Sequence, residues 1–177
     1  AKHGVIPDTE DVSDYWSLVE AIPAKELWDL KRTLREHLVK DARNRLAKST
    51  AKRGYAATEL AWTDTALDPD VLTIGFARRV PSYKRLTLML RDPERLRKLL
   101  LHPERPIQLI IAGKSHPADD GGKKLIQEMV KFADDPDVRH RIVFLPNYDI
   151  ATAQPLYPGC DVWLNNPPRP YEARGTS

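Results

Sequence analysis

The chain has 177 residues, of which 41% are hydrophobic and 30% charged, and its formal net charge is +3. This length can bury the core of one domain, and the composition is that of an ordinary globular protein. No run approaches the roughly 18 apolar residues of a membrane span, and no signal-peptide pattern opens the sequence. The single Cys160 excludes an internal disulfide and a cysteine-rich zinc site. A cytoplasmic location without a membrane partner is the simplest expectation.

Apolar residues recur at three- and four-residue steps after Pro23, which predicts an amphipathic helix of about six turns that stops near Gly54. The recurring positions are Leu27, Leu30, Leu34, Leu38, Ala42 and Leu46. The stretch from Lys25 to Arg53 holds ten Lys or Arg against four Asp or Glu. A solvated helix face explains this excess better than a nucleic-acid-binding stripe, because the whole chain is only weakly basic. No nucleic-acid partner is expected.

After residue 70, short apolar runs alternate with helical patterns. The runs of strand length are 71–77, 107–113, 141–146 and 161–165, and the helical patterns fall around 84–101, 121–133 and 150–157. Strands that are apolar on both faces and alternate with helices predict an α/β fold with a doubly wound parallel sheet. We therefore divide the chain into residues 1–69, an N-terminal segment with the long helix, and residues 70–177, a partial Rossmann-like domain.

Polar and charged residues follow each predicted strand. Parallel strands with right-handed crossovers end at one edge of the sheet, where ligands bind in such folds. The residues placed there are Arg78, Arg79, Lys84, Lys114, Tyr148, Glu172, Gly175 and Thr176. Arginine binds phosphate bidentately, and a Gly-Thr turn offers backbone N–H groups to an anion. Each residue alone is a weak signal, but together they predict a phosphate-handling site.

Histidine spacing gives no indication of a metal site, and none is expected. The pair Gly121–Gly122 lacks the lysine and serine spacing of a phosphate loop. We interpret it as a helix start, with the Asp119–Asp120 pair as the cap.

Four segments resemble motifs of the α-glucan phosphorylases, the glycogen and maltodextrin phosphorylases, especially their bacterial and archaeal branch. Residues 76–85 resemble the family's R-x-x-x-Y-K-R segment, and residues 111–117 its G-K-x-x-P turn. Residues 143–148 resemble the F-L-x-N-Y strand, and residues 172–177 the opening of E-A-x-G-T-S-G-M-K. The motifs occur in the family's order, and the likeness runs from about Trp28 to the end.

The resemblance implies a GT-B glycosyltransferase fold, of which this chain would form the first part of the C-terminal domain. It also implies reversible, retaining phosphorolysis of α-1,4-glucan by orthophosphate to glucose 1-phosphate. Pyridoxal 5′-phosphate (PLP) would be the cofactor of the parent enzyme and would act through its phosphate group. Two phosphates in contact need several fixed cations to offset their repulsion.

The resemblance also implies roles for single residues. Arg79 and Lys84 would hold the substrate phosphate, and Glu172 a glucose hydroxyl. The residues implied at the cofactor are Arg78 by its phosphate, Tyr148 near its ring, Gly175 through its backbone, and Thr176 through its hydroxyl.

Two departures from the family pattern affect these expectations. The Schiff-base lysine of the family would fall three residues beyond Ser177, so this chain alone should be inactive and should lack covalent PLP. Arg174 stands where the family usually has a small residue. An incomplete sheet would also expose apolar surface, so self-association is plausible.

Two other interpretations stay open. A nucleotide-sugar-dependent glycosyltransferase of the GT-B fold would also place basic residues and a glutamate at these strand ends. A non-enzymatic truncated module would retain only weak anion binding.

Overall fold

A computed structural model describes residues 19–79 and 86–166. The helices are α1 (Ala24–Lys52), α2 (Pro93–Leu100), α3 (Asp120–Ala133) and α4 (Ile150–Gly159). The strands are β1 (Leu72–Arg79), β2 (Ile107–Lys114), β3 (Ile142–Pro146) and β4 (Val162–Trp163). Short 3-10 turns occupy Ala57–Glu59, Ala61–Asp64 and Leu86–Arg91.

The described strands form one parallel sheet in the order β3-β2-β1-β4. The first three strands are added in one direction and β4 on the other side of β1, so the winding reverses between β1 and β4. This reversal is the topological switch point of a Rossmann-like sheet, and ligand crevices in such sheets open there. The predicted α/β fold with a doubly wound parallel sheet is confirmed.

Both faces of the sheet are covered by helices. Alternate side chains of β2 illustrate this, because Ile110 and Ala112 pack with α1 and α4 while Leu109 and Ile111 pack with α2 and α3. The second layer also includes Phe76 of β1. The near-continuous apolar runs of the sequence are thus explained by burial on both sides.

The helical pattern predicted at 84–101 is interrupted. A 3-10 turn ends at Arg91, and α2 begins at Pro93 with Asp92 as its cap. The Asp92 carboxylate accepts a hydrogen bond from the Arg95 N–H at 2.9 Å. A proline has no N–H to continue a preceding helix but suits a first turn, so the chain restarts there.

Helix α1 begins after Pro23 and ends near Gly54 as predicted, although its 29 residues make more than the six turns expected. Its first turns are not part of the core. Leu38, Val39, Ala42 and Leu46 are buried, as the pattern predicts. Leu27 and Leu30 are 40% and 56% exposed, so their predicted burial is wrong within the described residues. The pattern continues beyond the region that α4 and the sheet cover.

Some basic residues of α1 anchor the helix to its neighbours, while Lys25, Lys40, Lys48 and Lys52 are exposed, as predicted for a solvated face. Lys31 donates to the carbonyls of Pro158, at 2.7 Å, and Cys160 at the end of α4. Arg45 donates to Thr152 Oγ1 at 3.0 Å at the other end of α4. These bonds attach α1 to α4 at both ends and give two of its basic residues a structural role.

Arg43 of α1 supports a strained turn before β1. Its guanidinium donates to the Ala66 carbonyl at 2.7 Å and to the Leu67 carbonyl at 2.9 Å. Leu67 has a φ of 63° although it is not glycine, and it is 2% exposed. Such a conformation costs of order 1 kcal/mol or more, which burial and the arginine clamp offset.

A buried ion pair joins α1 to the start of β1 and β4. The Arg35 Nη1 atom lies 2.6 Å from Asp161 Oδ2, and their side chains are 5% and 15% exposed. The same oxygen accepts the Thr73 N–H at 2.8 Å, and the Asp161 N–H donates to the Thr73 carbonyl at 2.8 Å. Gln108 of β2 extends the network, because its amide donates to Thr73 Oγ1 at 2.7 Å.

Gly159 permits the close approach of α4 to α1. A Cβ atom added there would lie 2.5 Å from Leu38 Cβ and 3.1 Å from the Leu34 carbonyl oxygen. Neither neighbour is the end of a flexible side chain, so any larger residue would force the helices apart.

No helix within the described ranges is long and apolar enough to cross a membrane.

The variant Asp161→Asn should lower the free energy of unfolding by about 3 kcal/mol, because it leaves the Arg35 charge buried without its carboxylate. Asp70→Asn is the matched control, because Asp70 pairs with Arg32 of the same helix while 63% exposed. Its loss of stability should be much smaller, because solvent screens an exposed ion pair. Denaturant unfolding measures both, and equal losses would contradict the importance of the buried pair.

Candidate functional site at the carboxyl edge of the sheet

Arg78 lies at the end of β1, beside the switch point. Arg78 is only 8% exposed, and its Nη2 donates to Asn165 Oδ1 at 2.8 Å. Asn165 follows β4, so this hydrogen bond joins the two strands between which the winding reverses. A guanidinium fixed there provides a directed, permanent positive charge where anionic ligands bind in such sheets.

Asn165 was not among the residues predicted from the sequence. The available signal was its position, since it is a polar side chain two residues past a strand that ends at the switch point. A short asparagine carries no charge and matches no phosphate motif, so sequence reasoning had no chemical reason to select it.

Several predicted site residues lie outside the described part of the chain. These are Lys84, Glu172, Gly175 and Thr176, together with Arg174. Arg79 is described only as the last residue of β1, where its backbone pairs with Lys114 of β2. Their roles remain predictions.

The turn between β3 and α4 is built from a strained asparagine and a capping aspartate. Asn147 has a φ of 60°, which asparagine tolerates better than most residues. Asp149 Oδ1 accepts the Thr152 hydroxyl at 2.7 Å and the Thr152 N–H at 2.8 Å. These hydrogen bonds are the main reason why the pKa of Asp149 lies below its ordinary value, with Arg45 and Lys114 adding to the effect.

Tyr148 belongs to an aromatic series that crosses from β3 to β4. Its hydroxyl lies 3.5 Å from the Tyr157 hydroxyl, and the Tyr157 ring stacks on Trp163 at a centroid distance of 4.2 Å. Burial, followed by the Tyr157 hydroxyl, raises the pKa of Tyr148 to about 12. Tyr148 is therefore neutral and able to donate a hydrogen bond at physiological pH.

The structure places Arg78 and Tyr148 at the same sheet edge but not in contact. β1 and β3 are separated by β2, so the two residues are two strand spacings apart, roughly 10 Å. Tyr148 packs with the cluster on the α1 side. Arg78 alternates with Ala77 of that cluster, so it emerges on the other face. One ligand contacting both would have to extend across the edge.

Among the described residues, no group of three or more His, Cys, Asp or Glu side chains could hold a metal ion. The predicted cap of α3 is confirmed, because Asp119 Oδ1 accepts the Gly122 N–H at 2.9 Å. The Gly121–Gly122 pair is therefore part of an ordinary helix start.

A parallel sheet in this strand order, with a buried arginine at the switch point, defines a Rossmann-like α/β protein with a polar carboxyl edge. Sequence comparison gives the family. Residues 11–177 match the family described as carbohydrate phosphorylase. The chain belongs to the carbohydrate phosphorylase family, which confirms the resemblance seen in its motifs.

Named relatives agree with this assignment. The chain is 64% identical over 162 residues to a glycogen phosphorylase of Mycobacterium tuberculosis (strain CDC 1551 / Oshkosh), covering 92% of this chain and 19% of the relative. It is 45% identical over 174 residues to a glycogen phosphorylase of Aquifex aeolicus, covering 96% and 25%. It is 36% identical over 170 residues to a maltodextrin phosphorylase of Thermococcus litoralis, covering 96% and 20%.

The chain thus spans about a fifth to a quarter of the length of these relatives.

Titration of the tyrosines should show one phenol that ionises near pH 12, measured by absorbance of the phenolate. Tyr148→Phe should remove that step, and the control Tyr55→Phe should not. Tyr157→Phe should leave part of the pKa shift of Tyr148, because burial is its largest single cause. Because the folded pKa is raised, the stability contributed by neutral Tyr148 is complete below about pH 10 and is lost as the pH rises toward 12. A Tyr148 that ionises near pH 10 would contradict its desolvation.

Proposed function

We propose that this chain forms the phosphate-handling half-domain of an α-1,4-glucan phosphorylase, a cytoplasmic enzyme that transfers glucose from a glucan end to orthophosphate. In this reaction a phosphate oxygen bonds to the anomeric carbon as the glycosidic bond breaks. The proton needed by the departing glucan oxygen comes from the orthophosphate, and the product is glucose 1-phosphate.

The observation that carries the proposal is Arg78, a buried guanidinium held by Asn165 at the switch point of the sheet. A preorganised cation at this edge can stabilise phosphate charge without reorganising during the reaction. Membership of the carbohydrate phosphorylase family supports this reaction over transfer from a nucleotide sugar.

The remaining roles of this chain's residues follow from the family motifs. Arg79 and Lys84 bind the substrate phosphate, and Glu172 accepts a hydrogen bond from a glucose hydroxyl. Gly175 offers its backbone to sugar or phosphate, and Thr176 offers its hydroxyl to the cofactor phosphate. Since these residues come from separate strand ends, the site depends on the parallel topology of the sheet.

The described residues fit PLP at two points. The Arg78 guanidinium suits its phosphate, because arginine offers paired N–H donors to phosphate oxygens. Tyr148, partly buried and neutral, suits the edge of an aromatic ring. When bound, the cofactor phosphate supplies an acid–base group beside the substrate phosphate.

Orthophosphate should raise the thermal stability of the chain, and Arg78→Gln or Arg79→Ala should each remove more than half of that increase. A ligand that binds only the folded state stabilises it in proportion to its occupancy. The increase is compared within each variant with and without phosphate, because loss of the bond to Asn165 also lowers the stability of Arg78→Gln itself.

Arg105→Gln is the control, because Arg105 is an exposed arginine just before β2, at the amino edge of the sheet. It should retain the full response. Equal responses in all four proteins would refute an anion site at the end of β1. Stabilisation by ADP-glucose or UDP-glucose without a response to orthophosphate would favour the nucleotide-sugar transferase instead.

A further inference from the structure

A groove of about 450 Å³ follows the outer edge of β3, between α1 and α3. Consecutive strand residues, Ile142, Val143 and Phe144, all line it. Because consecutive side chains point to opposite faces of a sheet, a groove lined by all three runs along the strand's edge rather than over one face.

The backbone of β3 presents hydrogen-bonding groups to this groove. The Leu109 N–H of β2 donates to the Arg141 carbonyl at 2.8 Å, and parallel pairing then directs Val143 and Leu145 toward β2. The Phe144 N–H and the carbonyls of Ile142, Phe144 and Pro146 consequently face outward. Within residues 19–79 and 86–166, no strand pairs with this edge.

The two walls of the groove differ in chemistry. On the α1 side the lining residues are Arg45, Lys48, Ser49 and Lys52, with Arg53 just beyond the helix. On the α3 side they are Ile126, Val130 and Ala133. Leu46 of α1 and the carboxylates of Asp134 and Asp149 also line the groove. Asp134 pairs with Arg53, and Arg45 pairs with Asp41 at 2.6 Å. Lys48 and Lys52 thus give one wall its positive charge, and the other wall is apolar.

We propose that this groove binds an extended polypeptide segment in which acidic and apolar residues alternate, added to the sheet as a strand beside β3. Side chains of such a strand point alternately to the two faces. One set therefore meets the cations of α1, and the other meets the apolar surface of α3. The outward groups of β3 supply the backbone hydrogen bonds, as in other cases of strand addition to an open sheet edge.

Charge argues for a partner of this chemistry over other occupants. A second copy pairing through its own β3 would bring Lys48 and Lys52 toward their counterparts, which like-charge repulsion disfavours. The first 18 residues of the chain are acidic at Asp8, Glu10, Asp11 and Asp14, but these do not alternate with apolar residues. The inference does not depend on the proposed phosphate chemistry.

The test measures binding of a fluorescein-labelled hexapeptide of alternating Glu and Val to the full 177-residue chain by fluorescence anisotropy. Saturable binding is expected, weakened by salt, together with slower hydrogen exchange of the Phe144 amide. The matching Lys and Val peptide should not bind. Two N-methylated versions of the Glu and Val peptide are also compared, one methylated at every Glu and the other at every Val. Only alternate residues of an added strand donate hydrogen bonds to β3. N-methylation should therefore abolish binding in one version and not in the other.

The variant K48E/K52E should weaken binding of the Glu peptide by about tenfold or more, since two contacts become repulsive. K40E is the control on the same helix, because Lys40 is exposed and does not line the groove. It should leave binding unchanged, and circular dichroism should show all variants folded.

Three results would overturn the proposal. They are absence of peptide binding, equal binding by wild type and K48E/K52E, and equal binding of both N-methylated peptides. Concentration-dependent dimerisation that slows exchange of the Phe144 amide without any peptide would also overturn it, in favour of a second copy as the occupant.

Discussion

The attachment of α1 to the amino edge of the sheet is the constraint on which the described fold depends. The carboxylate of Asp161 binds the Arg35 side chain and the Thr73 backbone together, so one group positions a helix and two neighbouring strands. A charge this deeply buried costs much to leave unpaired, which makes the arrangement nearly all-or-none. The glycine contact between α4 and α1 adds a steric condition to this electrostatic one, because the helices must lie close for the charges to meet.

The two edges of the sheet use polar residues differently. At the amino edge, hydrogen bonds of Arg35, Thr73 and Gln108 go to other groups of the protein and stabilise the fold. At the carboxyl edge, Arg78 is oriented by the neutral amide of Asn165, which fixes its direction without cancelling its charge at that contact. A rigid amino edge holds the strands in register, and this register determines where Arg78 and Tyr148 emerge at the other edge. Function at one edge therefore depends on packing at the other.

Much of the fold could be predicted from the sequence, and the features that were not predicted have physical explanations. The four strands, their parallel arrangement and the cap at Asp119 were predictable, because apolar periodicity and capping are local signals. The exposure of Leu27 and Leu30 was not, since it depends on how far distant elements extend. The Asn165 contact was equally hidden, because it joins positions 87 residues apart. The break at Asp92 was available in the Asp-Pro pair but was overridden by the surrounding helical pattern.

Cys160 lies at the seam between α4, α1 and β1, and it is 6% exposed with a carbonyl that accepts Lys31. Burial raises the pKa of its thiol to about 12, so in the closed seam it is neither ionised nor reachable. Since it is the chain's single cysteine, the rate of its alkylation measures how often that seam opens. Alkylation of Cys160 in the unsubstituted chain therefore reports how often α4 separates from α1 and β1.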